Sequence, residues 1–126
     1  MKRLYVAIAI LIILPSIIIA NQFYLKGMTT SMTEIINKAE NNAKHNENKD
    51  AKSDIEKFGQ MWESNNKIIS TFARHSELDK INESNARLLP YLENNDLTSF
   101  SAECEVIKAQ LHHIMHGEEF SIDNIF

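Results

Sequence analysis

The sequence predicts an all-α protein: an N-terminal transmembrane helix followed by an antiparallel helical bundle of three to four helices. Three observations lead there. The first is an uncharged run from Leu4 to Leu25, bounded by Lys2 and Arg3 on one side and Lys26 on the other. The second is a set of three stripes after residue 50, in which apolar residues recur at alternating steps of three and four. The third is a shortage of turn formers: three glycines and two prolines in 126 residues leave few sites for the reversals that a sheet needs.

The uncharged run comes first in the chain. Its centre, Val6 to Leu14, is wholly apolar. At about 1.5 Å per residue the run is long enough to cross a hydrocarbon core of about 30 Å. Lys2, Arg3 and the terminal amine precede it, and loops rich in Lys and Arg stay cytoplasmic. The amino terminus is therefore expected inside the cell and residues 27–126 outside it. Tyr5 at one end, with Phe23 and Tyr24 at the other, suit the two membrane–water interfaces. Pro15 and Ser16 interrupt the span, where a kink is expected. The competing reading of residues 1–26 is a cleaved secretory signal with its cut after Ile18-Ile19-Ala20. Its apolar core is longer than that reading needs, and Ile18 is not the small residue usual before a cut. No Cys closes the run, which argues against a lipid-modified amino terminus.

Charge narrows the partners. The chain carries 13 basic and 17 acidic residues, a net −4. Without Lys2 and Arg3 the outer part has 11 basic against 17 acidic residues, about −6. Such a surface repels phosphate backbones, and no Lys/Arg cluster offsets it, so no nucleic-acid partner is expected. The single cysteine, Cys104, has no intramolecular partner for a disulfide, so packing alone must hold an exported domain together.

Residues 27–50 read as a polar juxtamembrane helix or spacer. Ser31 and Glu34 match a capping box, and Met32, Ile35, Ile36, Ala39 and Ala43 give a thin apolar face. The stretch Asn41 to Asp50 is almost wholly polar and buries little. The bundle proper is expected over 51–126. Its first stripe is Ala51, Ile55, Phe58, Trp62, Asn65, Ile69 and Phe72. The second is Leu78, Ile81, Asn85, Leu88 and Leu92. The third is Leu97, Phe100, Cys104, Ile107, Leu111 and Ile114. This is the a/d pattern of helices packed side by side with a slight left-handed twist. Ser76 with Asp79 reads as one helix start and Asp96 as another, while Gly117 reads as a C-terminal cap. Short connectors make consecutive helices antiparallel. Pro90 predicts a bend or an early end in the second stripe's helix. Asn65-Asn66 marks a point where the first could split, and Ile122, Ile125 and Phe126 could fold back over one end.

Few residues suggest chemistry. His112 and His116 are four apart on one helix face, the spacing of a two-His metal clamp, with His113 between them. No third ligand stands at a defined spacing, the heptad turns these histidines outward, and an exposed polar face near a helix C-terminus explains them better. Cys104, between Glu103 and Glu105 on a seam, reads as a small buried hydrophobe and not a nucleophile. Arg74, His75, Glu77, Asp79 and Lys80 crowd one turn; a capping corner accounts for them, and a partner-binding surface is the functional alternative. No phosphate-binding glycine loop, paired-Cys zinc pattern or nucleophile elbow occurs, so no enzyme activity and no cofactor are expected.

The stretch from Trp62 to Ile81, with Lys67-Ile68-Ile69-Ser70-Thr71-Phe72 leading into His75-Ser76-Glu77-Leu78-Asp79-Lys80-Ile81, resembles a known bacterial family. So do Asn82-Glu83-Ser84, Ala102-Glu103-Cys104-Glu105 and the closing Asn124-Ile125. The resemblance is to the family called domain of unknown function 4363, small single-pass membrane proteins of spore-forming Firmicutes. It covers nearly the whole chain, anchor included, although Pro90 is atypical of the family. It implies no activity, but family members are often encoded beside multi-pass membrane proteins, which implies a membrane partner. The expectation is therefore a membrane-anchored, extracytoplasmic accessory protein acting beside an integral membrane partner. A ligand- or metal-binding domain using the His112–His116 face is the alternative. Self-association through the seams is a third class.

Overall fold

A computed structural model of the chain describes residues 1–125, with the side chains of Phe72 and of residues 117–125 outside the description; Phe126, one of the expected fold-back residues, also lies outside it. The fold is all-α. Four helices follow one another: α1 (Lys2–Lys44), α2 (Asn48–Phe72), α3 (His75–Glu93) and α4 (Leu97–Ile125). No strand occurs among the described residues.

α1 is one helix with two halves. From Met1 to Tyr24 every residue is exposed, and this half is long and apolar enough to cross a membrane. Pro15 sits inside the unbroken helix, and the Ser16 hydroxyl donates to the Ile12 carbonyl at 2.7 Å. From Leu25 onward one face closes: Leu25, Met28, Met32, Ile36, Ala39 and Ala43 are buried. Their steps of three and four make a fourth a/d seam. Residues 27–44 are thus a full member of the bundle where the sequence reading placed a polar juxtamembrane helix or spacer. Met32, Ile36, Ala39 and Ala43 of the expected thin apolar face are its core; the small side chains of Ala39 and Ala43, flanked by Asn, Lys and Glu, concealed how completely that face is covered. Ser31 caps nothing, because the helix passes straight through it.

The other seams bury as the spacing predicts. Ala51, Ile55, Phe58, Trp62 and Ile69 come from α2; Leu78, Ile81, Leu88 and Leu92 from α3; Phe100, Cys104, Ile107, Leu111 and Ile114 from α4. Leu97, at the end of its stripe, stays exposed. The Phe58 and Trp62 rings lie nearly parallel with centroids 6.4 Å apart. α1 packs on α2 and α4, and α3 on α4 and more lightly on α2, so α1 stands diagonal to α3 and α2 diagonal to α4.

The two distal turns share one design. Asn46 (φ 60°) and Asn95 (φ 56°) take the left-handed conformation that Asn tolerates better than most residues. In the first turn Asn46 N–H donates to Ala43 O and Glu47 N–H to Asn42 O; in the second Asn95 N–H donates to Leu92 O and Asp96 N–H to Tyr91 O. These are paired Schellman closures. Asn48 Nδ2 donates to Asn95 Oδ1 at 3.3 Å, which joins the turns at the end of the bundle away from the apolar half of α1. The α2–α3 connection and the C-terminal end of α4 therefore lie at the end facing that half.

Several local expectations change. α3 starts at His75 with Arg74 as N-cap, not at Ser76; the Glu77 carboxylate reaches back to accept from Arg74 N–H at 3.4 Å. Asp96 does cap α4, accepting from Ser99 N–H at 3.2 Å. α3 continues through Pro90 to Glu93, and Leu92 still reaches the core. Proline here falls in the last turn, where little helix remains to be disrupted. α4 runs through Gly117 to Ile125 without capping or folding back. α2 does not split at Asn65-Asn66, because Asn65 bonds within the fold: its Nδ2 donates to Met61 O at 2.8 Å and its Oδ1 accepts from the Tyr24 hydroxyl at 2.7 Å.

Candidate functional site

The α2–α3 corner is the first candidate. Arg74, His75, Asp79 and Lys80 are exposed, and Glu77 is half-buried. Glu77 serves the cap of α3, so its carboxylate belongs to the fold first. Arg74 and Lys80 form no ion pair among the described residues, which leaves two cations free at the end of the bundle that faces the apolar half of α1. The corner thus presents four exposed residues, while the fifth, Glu77, is half-buried and serves the cap.

The His112–His116 face is the second. The two rings approach to 4.3 Å between centroids with a 45° tilt. His112 and His113 are exposed and His116 is half-buried. His112 lines a cleft of about 320 Å³ between α1 and α4, whose other walls include Thr33, Glu34, Leu111 and Met115. The Thr29 and Thr33 hydroxyls donate to the Leu25 and Thr29 carbonyls and so are spent on their own helix. No group of three or more His, Cys, Asp or Glu residues is placed to hold a metal ion among the described residues. The side chains of Glu118 and Glu119, the next carboxylates downstream in sequence, lie outside them.

A third cluster was not visible in the sequence. Glu40 is buried in the α1–α4 interface, 8% exposed. It accepts from Lys108 Nζ at 3.0 Å and pairs with Lys44 at 3.4 Å. Lys108 also donates to Asn37 Oδ1 at 2.9 Å and to Glu105 Oε1 at 2.6 Å. Burial alone would pull the Lys108 ammonium down, but its hydrogen bonds to Glu105 and Glu40 outweigh that and hold it above the usual lysine range. Nearby, burial first and then the Glu40 charge push the Cys104 thiol up to about 12, against an opposing pull from Lys108. The thiol is therefore protonated at neutral pH and does not act as a nucleophile there. The one sequence-level hint of the network is a carboxylate at position 40 directly after a seam residue. Its cation lies 68 residues away, beyond the reach of any local spacing rule.

Two more polar contacts stitch the bundle. Trp62 Nε1 donates to Asn82 Oδ1 at 2.7 Å between α2 and α3, and Asn42 Nδ2 donates to Asp54 Oδ2 at 2.7 Å between α1 and α2. Both satisfy polar atoms that packing would otherwise strand. They position helices and offer no reacting group.

No curated protein and no solved structure matches the chain. A family model described as a domain of unknown function, DUF4363, matches residues 19–125. The match takes in all of the bundle and the end of the apolar half of α1, and it opens after the first eighteen residues, which the resemblance was expected to include. With the four-helix core and its corner both inside the matched span, the chain belongs to the DUF4363 family.

Proposed function

We propose that this protein is a single-pass, membrane-anchored accessory protein whose bundle lies outside the cytoplasm and docks beside an integral membrane partner, without enzymatic activity. The observation that carries this reading is the continuity of α1. One helix holds a half that nothing in the bundle covers and a half that the bundle buries. Exposing some twenty apolar residues to water is costly, at about 25 cal/mol per Å², whereas a bilayer removes that cost. A bundle continuous with its span is held close to the membrane, where Asp79 and Lys80 of the corner are within reach of a neighbour's outer loops. Lys2 and Arg3 set the orientation with the amino terminus inside.

Crosslinking in intact cells followed by gentle detergent extraction tests this. A polytopic membrane protein should be recovered with the chain, and the Asp79→Lys/Lys80→Glu double variant should recover less of it. Full-length protein found free in the cytosol would overturn the anchor; recovery of no membrane protein would overturn the partner.

A second reading rests on the close His112 and His116 rings beside the α1–α4 cleft. It makes the bundle a metal-binding domain. Zn²⁺ titration of the full chain against its His112→Ala/His116→Ala variant separates the two readings, since only the metal reading expects the variant to bind more weakly.

A further inference from the structure

The register between α1 and α2 fixes how far the bundle stands from the apolar half. The Tyr24 hydroxyl meets Asn65, which brings these two residues to within about a turn of one level. Met28 and Met61 line one cleft with them, which repeats the same register four residues lower. From Asn65, α2 climbs seven residues further to Phe72, about 10 Å. Along α1 that distance leads back from Tyr24 to Ile17. α4 behaves alike: Met115 shares a cleft with Thr29 and Thr30, and the helix then runs ten residues on to Ile125, about 15 Å. The Asn42–Asp54 bond sets a lower register, in which Phe72 falls level with Tyr24. The helix ends thus reach the level of residues 17–24, where the apolar run gives way to Asn21 and Gln22 and to the interfacial rings of Phe23 and Tyr24. The headgroup layer is only about 5–7 Å deep on each side of the hydrocarbon core. A bundle end at this level meets that layer.

The residues at that level suit it. Ile68 is 44% exposed, the most exposed large apolar side chain of the bundle among the described residues. From Ser64 to Ser76 there is no acid, only Lys67, Arg74 and His75, in a chain with more acids than bases. Lys67, Arg74 and His75 are all exposed. Cationic side chains with apolar stems can lie along the acyl boundary and lift their charge to the phosphates. Glu77, the first acid after this stretch, is spent on the α3 cap. The acids that α4 brings to this end in sequence, Glu118, Glu119 and Asp123, belong to the helix that packs on α3 and lies diagonal to α2.

We propose that the α2–α3 corner is seated in the outer-leaflet headgroup layer of the bilayer that α1 crosses, with Ile68 at the acyl boundary and Lys67 and Arg74 on lipid phosphates. The seat rests on the anchor reading above and adds a second contact with the same membrane. It leaves Asp79 and Lys80, one turn further down α3, for a protein neighbour. It also fixes the tilt of the bundle, which would otherwise depend on α1 alone.

Depth-dependent quenching tests the seat. The full chain in a Cys104→Ala background carries one environment-sensitive label through Ile68→Cys, Lys52→Cys or Ile12→Cys. It is reconstituted in vesicles of phosphatidylcholine and phosphatidylglycerol containing spin-labelled lipid. Position 68 should be quenched at least about threefold more than position 52, which sits near the distal turns, and Lys67→Glu/Arg74→Glu should lower quenching at 68 about twofold. Equal quenching at 68 and 52, with position 12 strongly quenched, would overturn the seat and leave the anchor standing. An unquenched position 12 would overturn the anchor and the seat together. Charge reversal without effect at 68 would overturn the phosphate contacts.

Discussion

The bundle has two unlike faces across its diagonal. The α1–α4 face holds a buried carboxylate, two cations and an amide in one bonded network at Glu40, Lys108, Lys44 and Asn37. The α2–α3 face meets more lightly, with Gly59 opposite Asn85 and, among the described residues, one side-chain bond from Trp62 to Asn82. Asn85 Oδ1 there is buried without a hydrogen-bond partner. The difference shows two ways of placing polar groups in an apolar seam. On one face they are mutually satisfied and fix a register; on the other they interrupt the packing. α1 carries the apolar half and α4 ends toward it, so a register fixed between them sets the height of the bundle on its span.

Breaking the network should have the largest effect. Lys108→Met leaves Glu40 buried with only the exposed Lys44 for a partner. Loss of one member of a buried pair is costly, and here a destabilisation of about 2–3 kcal/mol is expected, since Lys44 still offsets part of the charge. The Glu40→Leu/Lys108→Leu double variant should recover most of it, because an apolar pair needs no desolvated charge. Denaturant unfolding of both variants in the same detergent measures this. A double variant as unstable as the single one would mean that the network holds the faces by more than charge balance.

The thiol beside the network gives a smaller, pH-dependent effect. Cys104 is held up to about 12 in the folded state by burial and then by Glu40. An unfolded thiol ionises near its ordinary value of 9.0. The folded state therefore keeps a proton that the unfolded state loses, and stability falls as pH rises from about 9 toward 12. By pH 10 the loss should be about 1 kcal/mol. Lys108, also raised, adds a loss of the same sign only above its ordinary 10.5. Cys104→Ala should flatten the curve between pH 9 and 10.5 and leave the steeper part above it. A curve that is unchanged in the alanine variant would assign the whole slope to other groups.

How much of this was legible in the sequence follows from the range of each interaction. The α2, α3 and α4 seams were, because a/d periodicity is local and the large residues Phe58, Trp62, Phe100 and Leu111 dominate it. The lower half of α1 was legible only in part: Met32, Ile36, Ala39 and Ala43 showed as a thin apolar face, but a seam finished in alanine among Asn and Glu looks like a solvated helix until another helix covers it. The capping residues were half legible: Asp96 needs only its own next turn, whereas Ser76 was a good cap that lost to an earlier start stabilised by Glu77 reaching back to Arg74. The corner residues were picked out by composition, but their nearness to the apolar half of α1 depends on the Tyr24–Asn65 register, which spans 41 residues. Glu40 and Lys108 carried almost no signal beyond a carboxylate directly after a seam residue, because a buried ion pair is defined by two distant positions meeting.

The lighter face can be sharpened instead of broken, and that gives the smallest expected change. Gly59 lies inside α2, where glycine loses about 1 kcal/mol of helix stability relative to alanine. A Cβ at this position would meet Asn85 Nδ2 at 3.8 Å, an ordinary contact that requires no movement. Gly59→Ala should therefore stabilise the bundle by about 0.5–1 kcal/mol, read as a rise of a few degrees in Tm. Gly27→Ala is the control, since its Cβ would meet nothing within 4 Å and supplies helix propensity alone. A gain at Gly27 with a loss at Gly59 would show that α2 and α3 pack more tightly than their light contact implies, and the contrast between the two faces would then rest on the ion network alone. Equal gains at both would leave the room beside Asn85 as the reason that α2 and α3 meet so lightly.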